Sequence, residues 1–116
     1  MKLVEIFLIS MLVFLWGCGS ANTMYHWGGY SDSLYTYSKE PSAESRASHK
    51  AELVEIIDEA KSKKKGVPPG IHFELAMIEA EDGNRSSAIA LFAEESRLFP
   101  EAEKYVGLAL KELEAK

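Results

Sequence analysis

The sequence is short of the residues that several functional classes require. Its 116 residues include one cysteine, so no internal disulfide can form. Acidic residues outnumber basic ones by 18 to 13, and a net charge of −5 argues against nucleic acid as a partner, because that ligand selects a basic face. After Tyr37 no useful run of alternating apolar and polar residues predicts a strand. The length allows one small domain.

Motifs for catalysis and cofactor binding are also missing. The sequence has no Walker loop, no dinucleotide-binding loop and no Ser-His-Asp pattern. The three histidines lack metal-ligand spacing with the cysteine or with one another; they are His26, His49 and His72. Three neighbouring carboxylates favour a solvated helix end over acid–base chemistry: Glu79, Glu81 and Asp82. We therefore predict a non-enzymatic protein with no cofactor, no metal and no small-molecule substrate.

An apolar run near the N-terminus ends at the only cysteine. Residues 6–16 are almost entirely apolar and follow one positive charge at Lys2. The run has the length of a signal-peptide core and is shorter than the roughly 20 residues that span a bilayer. Leu15, Gly17 and Cys18 then resemble a bacterial lipobox, with leucine three positions before the cysteine and a small residue just before it.

The lipobox resemblance implies signal cleavage between Gly17 and Cys18, followed by acylation of Cys18. The alternative is an ordinary cleaved signal peptide with an incidental cysteine. Acyl chains would anchor the protein in a membrane, because each buried methylene contributes about 0.8 kcal/mol. Gly19 stands where an aspartate usually retains such lipoproteins at the inner membrane. We therefore expect the protein on the periplasmic face of the outer membrane.

Apolar residues at helical spacing predict an all-α domain of about four helices. The predicted ranges are 51–65, 70–82, 86–98 and 101–114, with Gly66 at the exit of the first and Pro100 ending the third. Residues 38–49 before them are rich in serine and small side chains and predict a linker that becomes the start of a helix. The chain then divides into four parts: a signal peptide at 1–17, a lipid-anchored aromatic segment at 18–37, a linker at 38–49 and the helical domain at 50–116.

The hairpin predicted from Pro69 to Ala102 is 34 residues long and resembles one tetratricopeptide repeat. The matching residues are Leu75 and Ala76, Gly83 at the turn, Ala88, Phe92 and Pro100. A small residue at position 88 lets the two helices approach closely. Such repeats need neighbours to bury a continuous core. The resemblance therefore implies that the flanking helices act as degenerate partners and caps.

Taken whole, the chain resembles a family of small bacterial lipoproteins of unknown function with a Tyr-x-Trp-Gly-x-Tyr segment. The matching residues are Tyr25, Trp27, Gly28, Tyr30, Leu34, Tyr35 and Tyr37, then Pro69, Gly70, Gly83, Ala88, Phe92, Glu95, Phe99 and Pro100. The resemblance implies a shared envelope assembly with another lipoprotein that resembles the curli secretion channel. It implies no defined activity.

The aromatic segment allows three interpretations. Trp27, Tyr30, Leu34 and Tyr37 form one stripe on a helix that would start near Asp32, capped by Ser31, and such a stripe usually packs on a core. The segment is alternatively a docking surface for a partner lipoprotein or the membrane interface; its candidate partner-binding residues are Tyr25, Trp27, Tyr30, Tyr35 and Tyr37. A hairpin turned at Gly28 and Gly29 is the third. We expect a core-packing stripe with one exposed edge.

Two functional classes remain open. The first is a non-catalytic adaptor in an outer-membrane lipoprotein assembly. The second is a periplasmic regulator that binds a cell-wall synthase or cell-wall polymer. The predicted linker would reach at most about 40 Å when extended, which favours partners near the outer membrane. The lysines at 61–65 fit either a solvated helix end or a contact with anionic lipid or cell-wall polymer.

Overall fold

The computed structural model describes residues 1–14 and 23–116, and it confirms the predicted all-α fold. Its helices are α1 (Lys2–Phe14), α2 (Tyr30–Lys39), α3 (Ala43–Ser62), α4 (Ile71–Glu81), α5 (Arg85–Leu98) and α6 (Glu103–Ala115). A 3-10 turn at Pro100–Ala102 joins α5 to α6. Within the described ranges, β-type pairing is confined to an isolated bridge between Tyr25 and Gly66.

The start of α3 differs from the prediction. The linker expected at 38–49 is wrong, because α2 continues to Lys39 and α3 begins at Ala43. Ser42 caps α3: its hydroxyl accepts the N–H of Ser45 at 3.0 Å, and the Ser45 hydroxyl accepts the N–H of Ser42 at 2.9 Å. This capping box gives a serine-rich stretch a defined helix start.

The end of α3 also differs in detail. The exit residue with positive φ is Lys64, at 54°, and not Gly66. The Lys65 N–H donates to Ala60 O at 2.8 Å and the Lys64 N–H to Lys61 O at 3.2 Å. These two bonds form a Schellman motif, which normally has glycine in the left-handed position. A lysine therefore occupies a conformation that costs an L-residue about 1–2 kcal/mol.

The hydrophobic core lies entirely within α3–α6, with α2 packed against it. One cluster joins α3 to α4 and consists of Leu53, Ile56, Ile71, Leu75 and Ile78. The second joins α4, α5 and α6 and consists of Ala76, Ala88, Phe92, Ala102 and Val106. Among the described residues, α1 packs on none of the other helices. Residues 23–116 thus contain their own complete core.

The helix α2 starts at Tyr30, two residues before the predicted start, with Gly29 rather than Ser31 at the N-cap position. It pairs with α3 through the short connection at 40–42, while α4 pairs with α5 through a turn at 82–84 in which Gly83 has φ of +84°. The bounds of α4 and α5 agree with the prediction to within one residue. Two antiparallel hairpins followed by α6 make up the domain.

Candidate functional site

The segment before α2 is held against the end of α3 by two backbone hydrogen bonds. The N–H of Gly66 donates to Met24 O at 2.9 Å, and the N–H of His26 donates to Gly66 O at 3.0 Å. A Cβ atom on Gly66 would lie 2.9 Å from the ring of Tyr25. Glycine is therefore required here by close packing, and the pairing fixes the path of the chain just after the undescribed residues. We call this pairing the N-terminal clip.

The two glycines after Trp27 let the chain pass over α3. Gly28 has φ of +49°, and a Cβ there would lie 2.9 Å from the Glu52 carboxylate and 3.1 Å from Ile56. The N–H of Gly29 donates to Glu52 Oε1 at 2.6 Å. This geometry replaces the hairpin considered at these glycines: the chain makes one close turn on the surface of α3 and then enters α2.

A buried polar network joins α2, α3 and α4. The fully buried ring of His49 has Nδ1 2.8 Å from Ser33 Oγ and Nε2 2.5 Å from Glu74 Oε1. The hydroxyl of Tyr30 donates to Glu74 Oε2 at 2.9 Å. Burial and the Glu74 carboxylate raise the pKa of Tyr30 to about 12. The rings of Tyr30 and Tyr37 each lie 5.8 Å from the imidazole.

This network has the residue types of a Ser-His-acid catalytic group, but its geometry supports a packing role. Both nitrogens of His49 are engaged, and its ring has no exposed surface from which to take a proton from a substrate. The Ser33 hydroxyl beside Nδ1 also donates to Tyr30 O at 3.1 Å, so it is itself held within the network. A satisfied network of this kind fixes the position of α2 on the core.

The five aromatic candidates divide into two groups. Tyr25, Tyr30 and Tyr37 are half-buried: Tyr25 packs near Phe99, and the other two contact His49. Trp27 and Tyr35 are exposed, at 45% and 62% of their surface. Tyr30 and Tyr37 pack α2 against the core, Tyr25 packs in the N-terminal clip, and Trp27 is the exposed edge of the stripe. Of the five candidates, Trp27 and Tyr35 have the side chains most open to a partner.

The carboxylates at the end of α4 form ion pairs with α3. Lys50 Nζ lies 2.9 Å from Glu79 Oε1 and 2.7 Å from Asp82 Oδ2, and Arg46 contacts Glu81 and Asp82. Hydrogen bonds from Lys50 hold the pKa values of Glu79 and Asp82 below their usual range. Glu81 and Asp82 are exposed and Glu79 is half-buried. The group is best understood as a link between the two hairpins.

Glu95 and His72 are buried polar residues that the sequence pattern does not predict as part of the core. Glu95 on α5 is fully buried and accepts the N–H groups of Gly70 at 2.7 Å and Phe73 at 3.3 Å. It thereby caps the N-terminus of α4 from a different helix. His72 lies nearby with its Nδ1 buried and without a hydrogen-bond partner. Burial lowers the pKa of His72.

A family model described as a domain of unknown function, DUF4810, matches residues 24–108. The chain belongs to the DUF4810 family. Its predicted membership of an uncharacterised family is therefore confirmed. No curated protein and no solved structure matches the chain. The matched range begins at Met24 in the N-terminal clip and ends at Leu108 on α6, so it includes the clip, the polar network and the Glu95 cap.

The DUF4810 domain leaves a groove and two large apolar side chains exposed at α6. The groove, of about 330 Å³, runs between α4, α5 and α6; its lining combines the apolar Met77, Ala80, Phe92, Ala109 and Leu113 with the charged Glu81, Glu112 and Lys116. On the same helix the side chains of Tyr105 and Leu108 are 42% and 61% exposed. The ring of Tyr105 also packs edge-on against Phe73, with ring centroids 5.0 Å apart. Tyr105 and Leu108 are therefore exposed among the charged side chains of α6, which include Lys104, Lys111 and Glu112.

Other predicted site residues lie outside the described ranges. The predicted lipidation at Cys18 and the predicted cleavage between Gly17 and Cys18 concern residues 15–22, which the structure does not describe. In residues 1–14 and 23–116, no group of three or more His, Cys, Asp or Glu side chains is arranged to hold a metal ion. None of the helices in those ranges is long and apolar enough to cross a membrane.

Proposed function

We propose that this DUF4810 protein is a lipid-anchored, non-catalytic adaptor in an assembly of envelope lipoproteins. In this proposal acylated Cys18 holds it on the periplasmic face of the outer membrane. Its helical domain binds a second lipoprotein of the kind that resembles the curli secretion channel. The observation that carries the adaptor role is the exposure of two large apolar side chains on α6, Tyr105 at 42% and Leu108 at 61%.

The exposed apolar side chains on the last helix support this role because terminal helices of stacked arrays normally have polar outer faces. Here Tyr105 and Leu108 lie on that face, and the groove beside Ala109 and Leu113 is open. A partner helix placed there would extend the array and cover these groups. Aromatic and large aliphatic anchors of this kind dominate many interfaces.

The tetratricopeptide-like spacing of the second hairpin agrees with such an array. Ala88 and Phe92 are buried in the α4–α6 cluster, Gly83 takes the turn with φ of +84°, and Pro100 starts the following 3-10 turn. We infer that α4 and α5 form one divergent repeat and that α6 occupies the position of the next. Because single repeats are not stable alone, the α2–α3 hairpin supplies the neighbour on the other side.

The short distance between the predicted anchor at Cys18 and the folded domain favours an adaptor that acts next to its own membrane. Thr23 is five residues after Cys18, a distance of at most about 18 Å even for an extended chain. Since the predicted linker at 38–49 is largely helical, it adds no length. The alternative, a regulator of a cell-wall synthase or polymer, depends on a longer reach and gains no support from these residues.

Co-purification from detergent-solubilised envelopes tests the adaptor role. We expect the channel-like lipoprotein to be recovered with the native chain and to be lost, by tenfold or more, with Leu108→Ser. Ile89→Ser is the matched control, because Ile89 on α5 is 43% exposed and belongs neither to the core clusters nor to the lining of the α6 groove. Recovery of a cell-wall synthase instead, or equal recovery with both variants, would overturn the proposal.

The anchor has its own test. Cys18→Ala removes the acylation site and is expected to leave an uncleaved or soluble precursor in fractionated cells. Gly19→Ala changes the neighbouring residue but retains the cysteine, so this variant should fractionate like the native protein. If the Cys18→Ala variant still sediments with the outer membrane after high-salt washing, the lipoprotein assignment is wrong.

A further inference from the structure

The C-terminal end of α3 carries a concentration of positive charge in an acidic protein. Of 13 lysines and arginines in the sequence, four fall within five residues: Lys61, Lys63, Lys64 and Lys65. The first three are exposed. Lys63 pairs with the half-exposed Glu59 at 2.6 Å, an exposed contact of low strength, and the other two exposed lysines have no acidic partner among the described residues.

The N-terminal clip places this cluster beside the first described residues after Cys18. Gly66, the residue after the lysines, bonds to Met24 and His26. Lys65 Nζ lies 3.5 Å from Thr23 Oγ1. Met24 itself is 71% exposed. The lysines and an exposed methionine therefore lie within a few residues of the point where the predicted anchor leaves the domain.

Lys64 is the lysine of the cluster with an unusual backbone conformation. Its φ of 54° is a conformation in which glycine or asparagine would be relaxed. A lysine at this position is strained, and its ammonium group contributes nothing to the core because the side chain is exposed. The two Schellman hydrogen bonds to Ala60 and Lys61 hold this conformation, and the Lys64 ammonium group remains exposed at the end of α3.

From this juxtaposition we infer that the end of α3 is a membrane-facing surface that binds anionic phospholipid headgroups. The inference rests on the proposed anchor at Cys18 for its orientation. Lysines near an anionic bilayer interact with the phosphate groups, and each changes membrane affinity by about fivefold. Met24 inserts its apolar side chain at the same interface. The α6 face is then free to bind a partner protein.

Vesicle sedimentation of residues 19–116, which contain the whole core and no anchor, tests the surface separately from acylation. We expect binding to vesicles of phosphatidylcholine with 30% phosphatidylglycerol, weaker binding at high salt and little binding to phosphatidylcholine alone. Changing Lys61, Lys63, Lys64 and Lys65 to Gln should reduce affinity at least tenfold. The matched control, which removes the same charge, is Lys39, Lys104, Lys111 and Lys116 changed to Gln.

A single substitution separates a ligand role from a structural one. Lys64→Gly relieves the positive φ and is expected to raise the melting temperature while lowering vesicle affinity by about fivefold. Equal affinity for neutral and anionic vesicles, or an equal loss in the control, would overturn the inference. So would tight binding to isolated peptidoglycan or equal competition by free inorganic phosphate. Fractionation of the Cys18→Ala variant tests the anchor independently. A failure of the anchor proposal can therefore be distinguished from a failure of the lipid-binding proposal.

Discussion

The carboxylate of Glu95 on α5 caps α4 by accepting the backbone N–H of Gly70 at 2.7 Å. The first N–H groups of a helix have no partner within the helix, and a buried helix end must find one elsewhere. Here the partner comes from 25 residues further along the chain. The cap links the start of one helix of the hairpin to the middle of the other.

Removing this cap should destabilise the domain. Glu95→Ala leaves the buried N–H groups of Gly70 and Phe73 unpaired, and we expect the free energy of unfolding to fall by about 1–3 kcal/mol. Urea unfolding followed by circular dichroism measures this. The control is Glu94→Ala, the adjacent residue, whose half-exposed carboxylate bonds to Arg97. If Glu95→Ala lowers the free energy of unfolding no more than Glu94→Ala does, the cap does not stabilise the domain.

His72 should make stability depend on pH. Burial lowers its pKa from 6.5, whereas Glu95 and Glu94 oppose this shift. The unfolded chain therefore binds a proton before the folded domain does, and the free energy of unfolding falls as pH decreases below about 6.5. Urea unfolding of the native chain and His72→Leu at pH 7 and pH 5.5 tests this. The variant should lose less stability between the two pH values, and an equal loss would contradict the prediction.

The α4–α5 contact should tolerate neither a larger nor a smaller side chain. Ala88 and Phe92 are both buried in the second cluster. We expect Ala88→Leu to overpack the contact at about 1–3 kcal/mol and Phe92→Ala to leave a cavity at about 3–5 kcal/mol. Ala90→Leu is the control, because Ala90 is exposed on the same helix. Melting temperatures unchanged in both core variants would contradict this packing.

Alanine substitutions at Trp27 and Tyr30 should differ in their effect on stability, although the two residues are only three positions apart. Tyr30 packs on the first cluster and bonds to Glu74, so Tyr30→Ala should cost about 2–3 kcal/mol. Trp27 is 45% exposed, and Trp27→Ala should cost less than about 1 kcal/mol. Thermal melting compares the variants. If partner recovery falls with Trp27→Ala while melting is retained, the exposed edge is a contact; equal melting losses would contradict the division.

Local signals were sufficient to predict α4 and α5. Proline and glycine surround both helices at Pro69, Gly70, Gly83 and Pro100, and their conformational preferences act over one or two residues. The aromatic stripe was also predictable, because Tyr30, Leu34 and Tyr37 repeat at helical spacing. The start of α3 was missed because serine-rich composition resembles a linker. The helical spacing of the buried residues is nevertheless visible in the sequence, because His49, Leu53, Ile56 and Ala60 lie on one buried stripe of α3.

The polar core could not be predicted from local pattern. His49 is buried because Ser33 and Glu74, which are 16 and 25 residues away, satisfy its two nitrogens. Glu95 is buried because the N–H groups that it caps belong to another helix. A carboxylate or imidazole on a helix is normally expected at the surface. Only the three-dimensional arrangement shows that a partner is close enough to offset the cost of burial.

The N-terminal clip also determines how the domain would respond to force. Tension applied to the chain before Thr23 reaches first the two hydrogen bonds between Gly66 and the segment at 24–26. When they separate, the load passes to the Gly29–Glu52 bond and then to α2, before it reaches the buried clusters of α3–α6. The segment at 23–29 would therefore extend first, while the helices that carry the α6 face stay folded.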